Sequence, residues 1–318
     1  MRLPAAIGSV ALLATVALVG IAGAARAAGD PPSAPRPLVL LVHGRGHAGL
    51  DTSALRRSWQ QALNDGARAA SGHAPLGDSD VSLVWYADAL DPMSPERCTT
   101  EQIARSRRAV PATDELGAVL GFAGLFLAAV VHDDASEGAR ELRNFASDLQ
   151  YFGDVEKRCA SEQRLAAALV RAERERRPVI LVAHSMGAIL SWSYLHGRAA
   201  GSTDALPEIR RFVTLGSPVG SSDIRRLLLG NAAAIALPPK VASWINIVDE
   251  RDPFAVPLGV RGSGLLDVRT HTDASGDPHE VTRYLRDPAT TSAVLGAWCA
   301  AFGQDVPDGC STLAKLEH

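Results

Sequence analysis

Residues 177–190 read RPVILVAHSMGAIL, and the order of residue types in this stretch decides the fold. Val179 to Val182 is an aliphatic, largely β-branched run behind Pro178, the pattern of a strand buried on both faces. The run breaks at His184-Ser185-Met186-Gly187, and small and apolar residues from Ala188 onward begin a helix. A strand, a sharp turn and a helix in so short a span force Ser185 into constrained backbone geometry. Such a turn needs small residues two positions before and after the serine, here Ala183 and Gly187. A serine that only caps a helix has no need of small neighbours on both sides. The pattern predicts a serine presented as a nucleophile.

Outward from this turn, strands and helices alternate. Strands are predicted at Leu38–Val42, Val81–Tyr86, Arg211–Leu215, Val241–Val248 and Leu265–Arg269. Helices are predicted over Thr52–Ala70, with Leu55, Trp59 and Leu63 on one face, over much of Glu141–Arg176 with a break near Gly153, and from Pro288 to Ala301. The alternation implies an α/β fold, a mainly parallel sheet with helices on both faces.

The 318 residues carry 47% hydrophobic and 21% charged side chains and a net charge of −3, ordinary for a globular protein and without electrostatic reason to expect nucleic acid. The first residues are not ordinary. Arg2 precedes an uncharged apolar stretch from Leu3 to Ala25, then Ala25-Arg26-Ala27. Residues 1–27 read as a secretory signal, or as an uncleaved membrane anchor, since the stretch approaches the roughly 20 residues that span a bilayer. Residues 28–37 form a Pro-rich linker, and 38–318 the folded domain with an insert at about 88–140.

Within that insert lies LGAVLGFAGLFLAAVV, Leu116 to Val131. Three readings fit it: a buried helix, a lid over a substrate cleft, or an element in contact with a membrane surface. Cys98, Cys159, Cys299 and Cys310 form an even set in a chain expected to be exported. Sequence proximity favours pairing Cys98 with Cys159 and Cys299 with Cys310. No CxxC element is present, which argues against zinc.

A serine hydroxyl needs a histidine to take its proton and an acid to hold that histidine in the right tautomer. In this class of fold the order along the chain is Ser, acid, His. After Ser185 come His196 in the elbow helix, His271 beside the last strand, His279 in the loop that follows, and the terminal His318. The topology favours His279 as general base, with His271 as rival. Asp249, Glu250 and Asp252 all follow a predicted strand; Asp252 is favoured because its loop can turn back, with Asp249 as rival. Backbone N–H groups for the anionic intermediate are expected from Met186, at a helix start, and from Arg45, between Gly44 and Gly46. HGRG lacks the lysine of a P-loop and does not match GxGxxG, so no nucleotide cofactor is implied.

With LLVHGRG, LVAHSMGA, TLGSPVG, NIVDERDPFAVP and GDPHEVTRYLRDP in this order, the chain resembles the α/β-hydrolase superfamily over nearly all of the expected mature sequence. The His-Ser-x-Gly turn and TLGSP are similar to lipases and esterases. The resemblance implies Ser185 as nucleophile, Asp252 as acid and His279 as base, acting on carboxylic esters, lipidic ones included, with no metal or cofactor. DPHEVTRYLRDP is similar to the histidine loop of some bacterial members. Two departures stand out: Ala183 replaces the elbow glycine, and the insert precedes the elbow rather than following it. Thioesterase, amidase and acyltransferase chemistry would use the same residues, and a non-catalytic interaction protein could keep the fold. No particular oligomeric state is implied.

Overall fold

The structure, a computed structural model, describes residues 35–47, 49–91, 94–107, 151–198, 206–229, 234–260, 262, 264–272, 276–302 and 306–316. The expected leader and the apolar stretch Leu116–Val131 lie outside the described residues. All that follows belongs to one compact unit, Ala34–His318.

Six strands among the described residues form one sheet: β1 Leu38–Val42, β2 Val81–Val84, β3 Val179–His184, β4 Ile209–Leu215, β5 Trp244–Asp249 and β6 Leu265–Thr270. Their order is β2-β1-β3-β4-β5-β6, and every neighbouring pair is parallel. The central strands β1, LVLLV, and β3, VILVAH, are near-continuous aliphatic runs, the composition of strands covered on both faces. The alternation of side chains along β1 divides the core accordingly. Leu38, Leu40 and Val42 enter one apolar cluster, Val39 and Leu41 the other.

Helix α1, Thr52–Ser71, packs on the second cluster through Trp59, Leu63 and Ala67, an i, i+4, i+8 stripe. It starts at Asp51, whose carboxylate accepts from the Ser53 and Ala54 N–H groups, and ends at Gly72 in the left-handed conformation. Helix α2, Thr100–Arg107, leads into residues that are not described. Helices α3, Val155–Arg174, and α4, Met186–Arg198, cover the first cluster, and α5, Ser222–Leu229, follows β4. The predicted break near Gly153 falls beside Asp154, the N-cap of α3.

Differences from the sequence reading have local causes. β5 begins at Trp244 rather than Val241, which only bridges Ile209. Helix α6, Val281–Arg286, lies inside a segment whose composition predicts a loop. The closing helical segment begins at Pro288 as expected but passes through a π turn, Ser292–Gly296, before Ala297–Ala300. Disulfides join Cys98 to Cys159 and Cys299 to Cys310, the pairing that sequence proximity favours. The first ties the root of the insert to α3; the second ties the closing segment to helix Cys310–Leu313. Among the described residues no helix is long and apolar enough to cross a membrane.

Candidate active site

A parallel sheet gathers the loops that follow its strands along one edge, and a crevice opens where the chain leaves neighbouring strands in opposite directions. Here that point lies between β1 and β3: the chain passes from β1 outward to β2, and from β3 the other way to β4. The loop after β1 and the turn after β3 meet there.

Ser185 follows β3 directly and has φ of 52°, one of few non-glycine residues among those described in the left-handed region. Its N–H still bonds Leu215 O at 3.0 Å, so the strand ladder holds the turn up to the strained residue. The need for small neighbours has a visible cause. A Cβ on Gly187 would sit 2.3 Å from His43 O and 2.6 Å from Val42 O, and one on Gly44 would sit 3.1 Å from Ser185 Cβ. Ala183 is fully buried between Val42 and Thr214 in the sheet, where a methyl group is accommodated.

The structure brings Ser185, His279 and Asp252 into one line. His279 Nε2 lies 2.9 Å from Ser185 Oγ, and His279 Nδ1 lies 2.8 Å from Asp252 Oδ2. With the proton on Nδ1 donated to the carboxylate, Nε2 accepts from the serine hydroxyl. The Asp252 side chain is completely buried and that of His279 partly so, with exposures of 0% and 15%. Asp252 Oδ1 also accepts the Phe254 N–H at 2.9 Å, and Oδ2 accepts the Tyr284 hydroxyl at 2.8 Å.

The rivals are occupied elsewhere. Asp249 accepts from Thr272 N and Oγ1 and from Arg251, tying the end of β5 to the loop after β6. Burial alone would raise its pKa, but these donors outweigh burial and hold the carboxyl well below the usual range. The His271 side chain is 70% exposed and faces Glu250 at 3.9 Å.

The loop bearing Asp252 is held by a buried polar ladder across three strands. Thr214 Oγ1 donates to Asn246 Oδ1, and Asn246 Nδ2 donates to Val256 O and to Asp267 Oδ1. Asp267 in turn accepts the Leu258 and Gly259 N–H groups. These bonds fasten residues 256–259 to β4, β5 and β6, which limits how far Asp252 can wander.

Met186 is the first residue of α4, and the first N–H groups of a helix have no partner within it. Arg45 lies in the loop pressed against the serine through Gly44. Its guanidinium sits 4.9 Å over the Phe254 ring, which packs 4.6 Å from the His279 ring.

His43 and His184 line the floor. His43 donates to Gly44 O from Nδ1 at 2.6 Å, accepts the Tyr86 N–H on Nε2 at 3.2 Å, and stacks on the Tyr86 ring. Only a neutral ring fits both bonds, and burial, with nearby His47, lowers its pKa to about 3. His184 Nε2 lies 3.0 Å from His279 O and donates to it; burial and the neighbouring His279 lower the pKa of His184 well below its ordinary value.

Sequence reasoning misses Tyr284 because the turn-forming residues around α6 favour a loop. Val281, Tyr284 and Leu285, spaced i, i+3, i+4 after Glu280, carried the signal of a short buried helix. Among the described residues no group of His, Cys, Asp and Glu could hold a metal ion. No protein-family model matches the chain, and no curated protein matches it.

Proposed function

We propose that the chain is a serine hydrolase of the α/β-hydrolase superfamily, esterase- or lipase-like, that cleaves carboxylic esters through an acyl-enzyme. The observation that carries this reading is the hydrogen-bonded line from Ser185 through His279 to Asp252, with the serine on a left-handed turn at the switch point of the sheet. A strained turn is costly, on the order of 1–3 kcal/mol. Its coincidence with a complete proton-transfer line argues against a purely structural turn.

The chemistry follows from the atoms. Ser185 Oγ adds to the ester carbonyl as His279 Nε2 takes its proton, and Asp252 steadies the imidazolium through Nδ1. The oxyanion is held by the N–H groups of Met186 and Arg45. The intermediate collapses to the acyl-serine and expels the alkoxide, which takes the proton from Nε2. Water, deprotonated by the same nitrogen, then adds to the acyl carbonyl and releases the acid, returning the proton to Ser185. No residue in this cycle needs a cofactor.

The substrate is a small ester or lipid, and the apolar stretch Leu116–Val131 favours an acyl chain. The two disulfides and the Ala-x-Ala pattern support export to an oxidising compartment, as a secreted or periplasmic protein or one held by an N-terminal anchor. A fluorophosphonate probe tests the reading. Wild-type protein is expected to be labelled and Ser185→Ala is not; a folded, unlabelled wild type overturns it. Hydrolysis of esters of graded chain length then sorts short-chain from lipidic substrates.

A further inference from the structure

The buried carboxylate has a donor that the line of Ser185, His279 and Asp252 does not require. Tyr284 is completely buried on α6, on the same segment as His279, and both side chains converge on Asp252 Oδ2. The Tyr284 hydroxyl oxygen lies 3.2 Å from the Asp249 backbone nitrogen and 2.8 Å from Asp252 Oδ2. An amide N–H can only donate, so the phenol oxygen accepts from it and sends its own proton to the carboxylate. The direction of the chain is thereby set: Asp249 amide to Tyr284 to Asp252, with His279 as the second donor to the same oxygen.

We infer that Tyr284 is a positioning residue of this site, whose hydroxyl shares the charge of Asp252 Oδ2 and holds it aimed at His279, and so sets how readily the imidazole takes and releases its proton. The inference rests on the proposed roles of Ser185, His279 and Asp252. A carboxylate removed from water remains charged only when several donors share its charge. Asp252 has three: His279, Tyr284 and the Phe254 N–H. Burial and the charge of Asp252 raise the pKa of Tyr284, which keeps the phenol protonated and donating.

Loss of the hydroxyl acts on His279 in a defined direction. One donor fewer leaves more negative charge on Oδ2, and the imidazolium that faces it is stabilised. The Phe254 N–H and His279 remain as donors to the carboxylate. The other titratable or charged groups around His279 are His184, whose ring is 4.7 Å away, and Arg45, beyond the Phe254 ring. Asp277 accepts the His279 N–H. None of them is altered by removing one phenol oxygen.

The test is a titration of His279 by nitrogen-15 NMR on the full chain labelled at histidine, with His279→Gln to assign the signal. In Tyr284→Phe the titration of His279 is expected to move up by roughly half a pH unit, the scale of part of one charge-assisted hydrogen bond. Replacing tyrosine by fluorotyrosine, a stronger donor of nearly the same size, is expected to move it down, and to have no such effect in Tyr284→Phe. The fluorotyrosine protein also covers the case in which Tyr284→Phe fails to fold. A His279 titration unmoved by either change overturns the inference. This readout needs no substrate, so absent labelling by the fluorophosphonate would sink the hydrolase reading while the titration still reports on Tyr284.

Discussion

Gly216 lies directly against Asp252: a Cβ on this glycine would stand 2.7 Å from Asp252 Oδ2, and 3.1 Å from His279 Nδ1. The end of β4 therefore forms the wall against which Asp252 and His279 meet. Gly216 also has φ of 53°, a conformation that side chains rarely adopt. The TLGSP segment thus has a physical role here: its glycine leaves room for the hydrogen bond between two other loops.

Gly216→Ala is expected to displace the His279–Asp252 pair and lower kcat about 100-fold, the cost of a misplacement near 1 Å. Stability is expected to fall by roughly 1–3 kcal/mol from backbone strain. Ester hydrolysis and thermal unfolding measured on the same preparation separate the two effects. Unchanged kcat in a folded Gly216→Ala would show that the contact does not matter.

The two aspartates of the β5 loop are expected to separate cleanly. Asp252→Asn should reduce kcat by about 10⁴, since the amide favours the wrong imidazole tautomer. Asp249→Asn should instead lower stability by roughly 1–3 kcal/mol, because Arg251 and Thr272 lose a charged acceptor, while the folded fraction keeps most of its activity. His279→Ala is expected to be inactive and His271→Ala near normal. Full activity in His279→Ala would remove it from the role of base.

Acid sensitivity is expected well above the range where carboxylates titrate. His43 binds a proton near pH 6.5 when the chain is unfolded but only near pH 3 when folded. Between these values the unfolded state holds more protons, so stability is full above about 6.5 and declines as pH falls through that window. At pH 5 the loss from His43 alone is about 2 kcal/mol. Denaturant unfolding of wild type and His43→Gln at pH 7 and 5 checks this; equal slopes would refute it.

The two disulfides are expected to contribute unequally. Cys98–Cys159 closes a separation of 61 residues and Cys299–Cys310 one of 11. Chain entropy assigns about 4 and about 3 kcal/mol respectively. Paired Cys→Ser variants, compared by denaturant midpoint, should rank in that order. Larger damage from the short bridge would mean that packing around Trp298 matters more than chain entropy.

Much of this was legible because it rests on short-range constraints. The aliphatic run before Ser185 has only one role in a two-sided sheet, and the steric demand of the turn shows directly in Ala183 and Gly187. The closing boundary at Pro288 was legible for the same reason, since proline fixes its own backbone. By contrast, α6 is six residues long and lies among turn-forming residues, where local composition favours a loop. Its helix exists because Val281, Tyr284 and Leu285 bury together against the second core cluster.

By itself the sequence determined that Ser185 occupies a strained turn between a buried strand and a helix, because that rests on the size and branching of adjacent residues. It also determined the alternating α/β pattern. Only the tertiary structure decided between Asp249 and Asp252 as the partner of His279, between His271 and His279 as the partner of Ser185, and where Gly216 and Tyr284 stand against Asp252. Each of those depends on distances between loops separated by tens of residues, which the parallel sheet sets and no local pattern encodes.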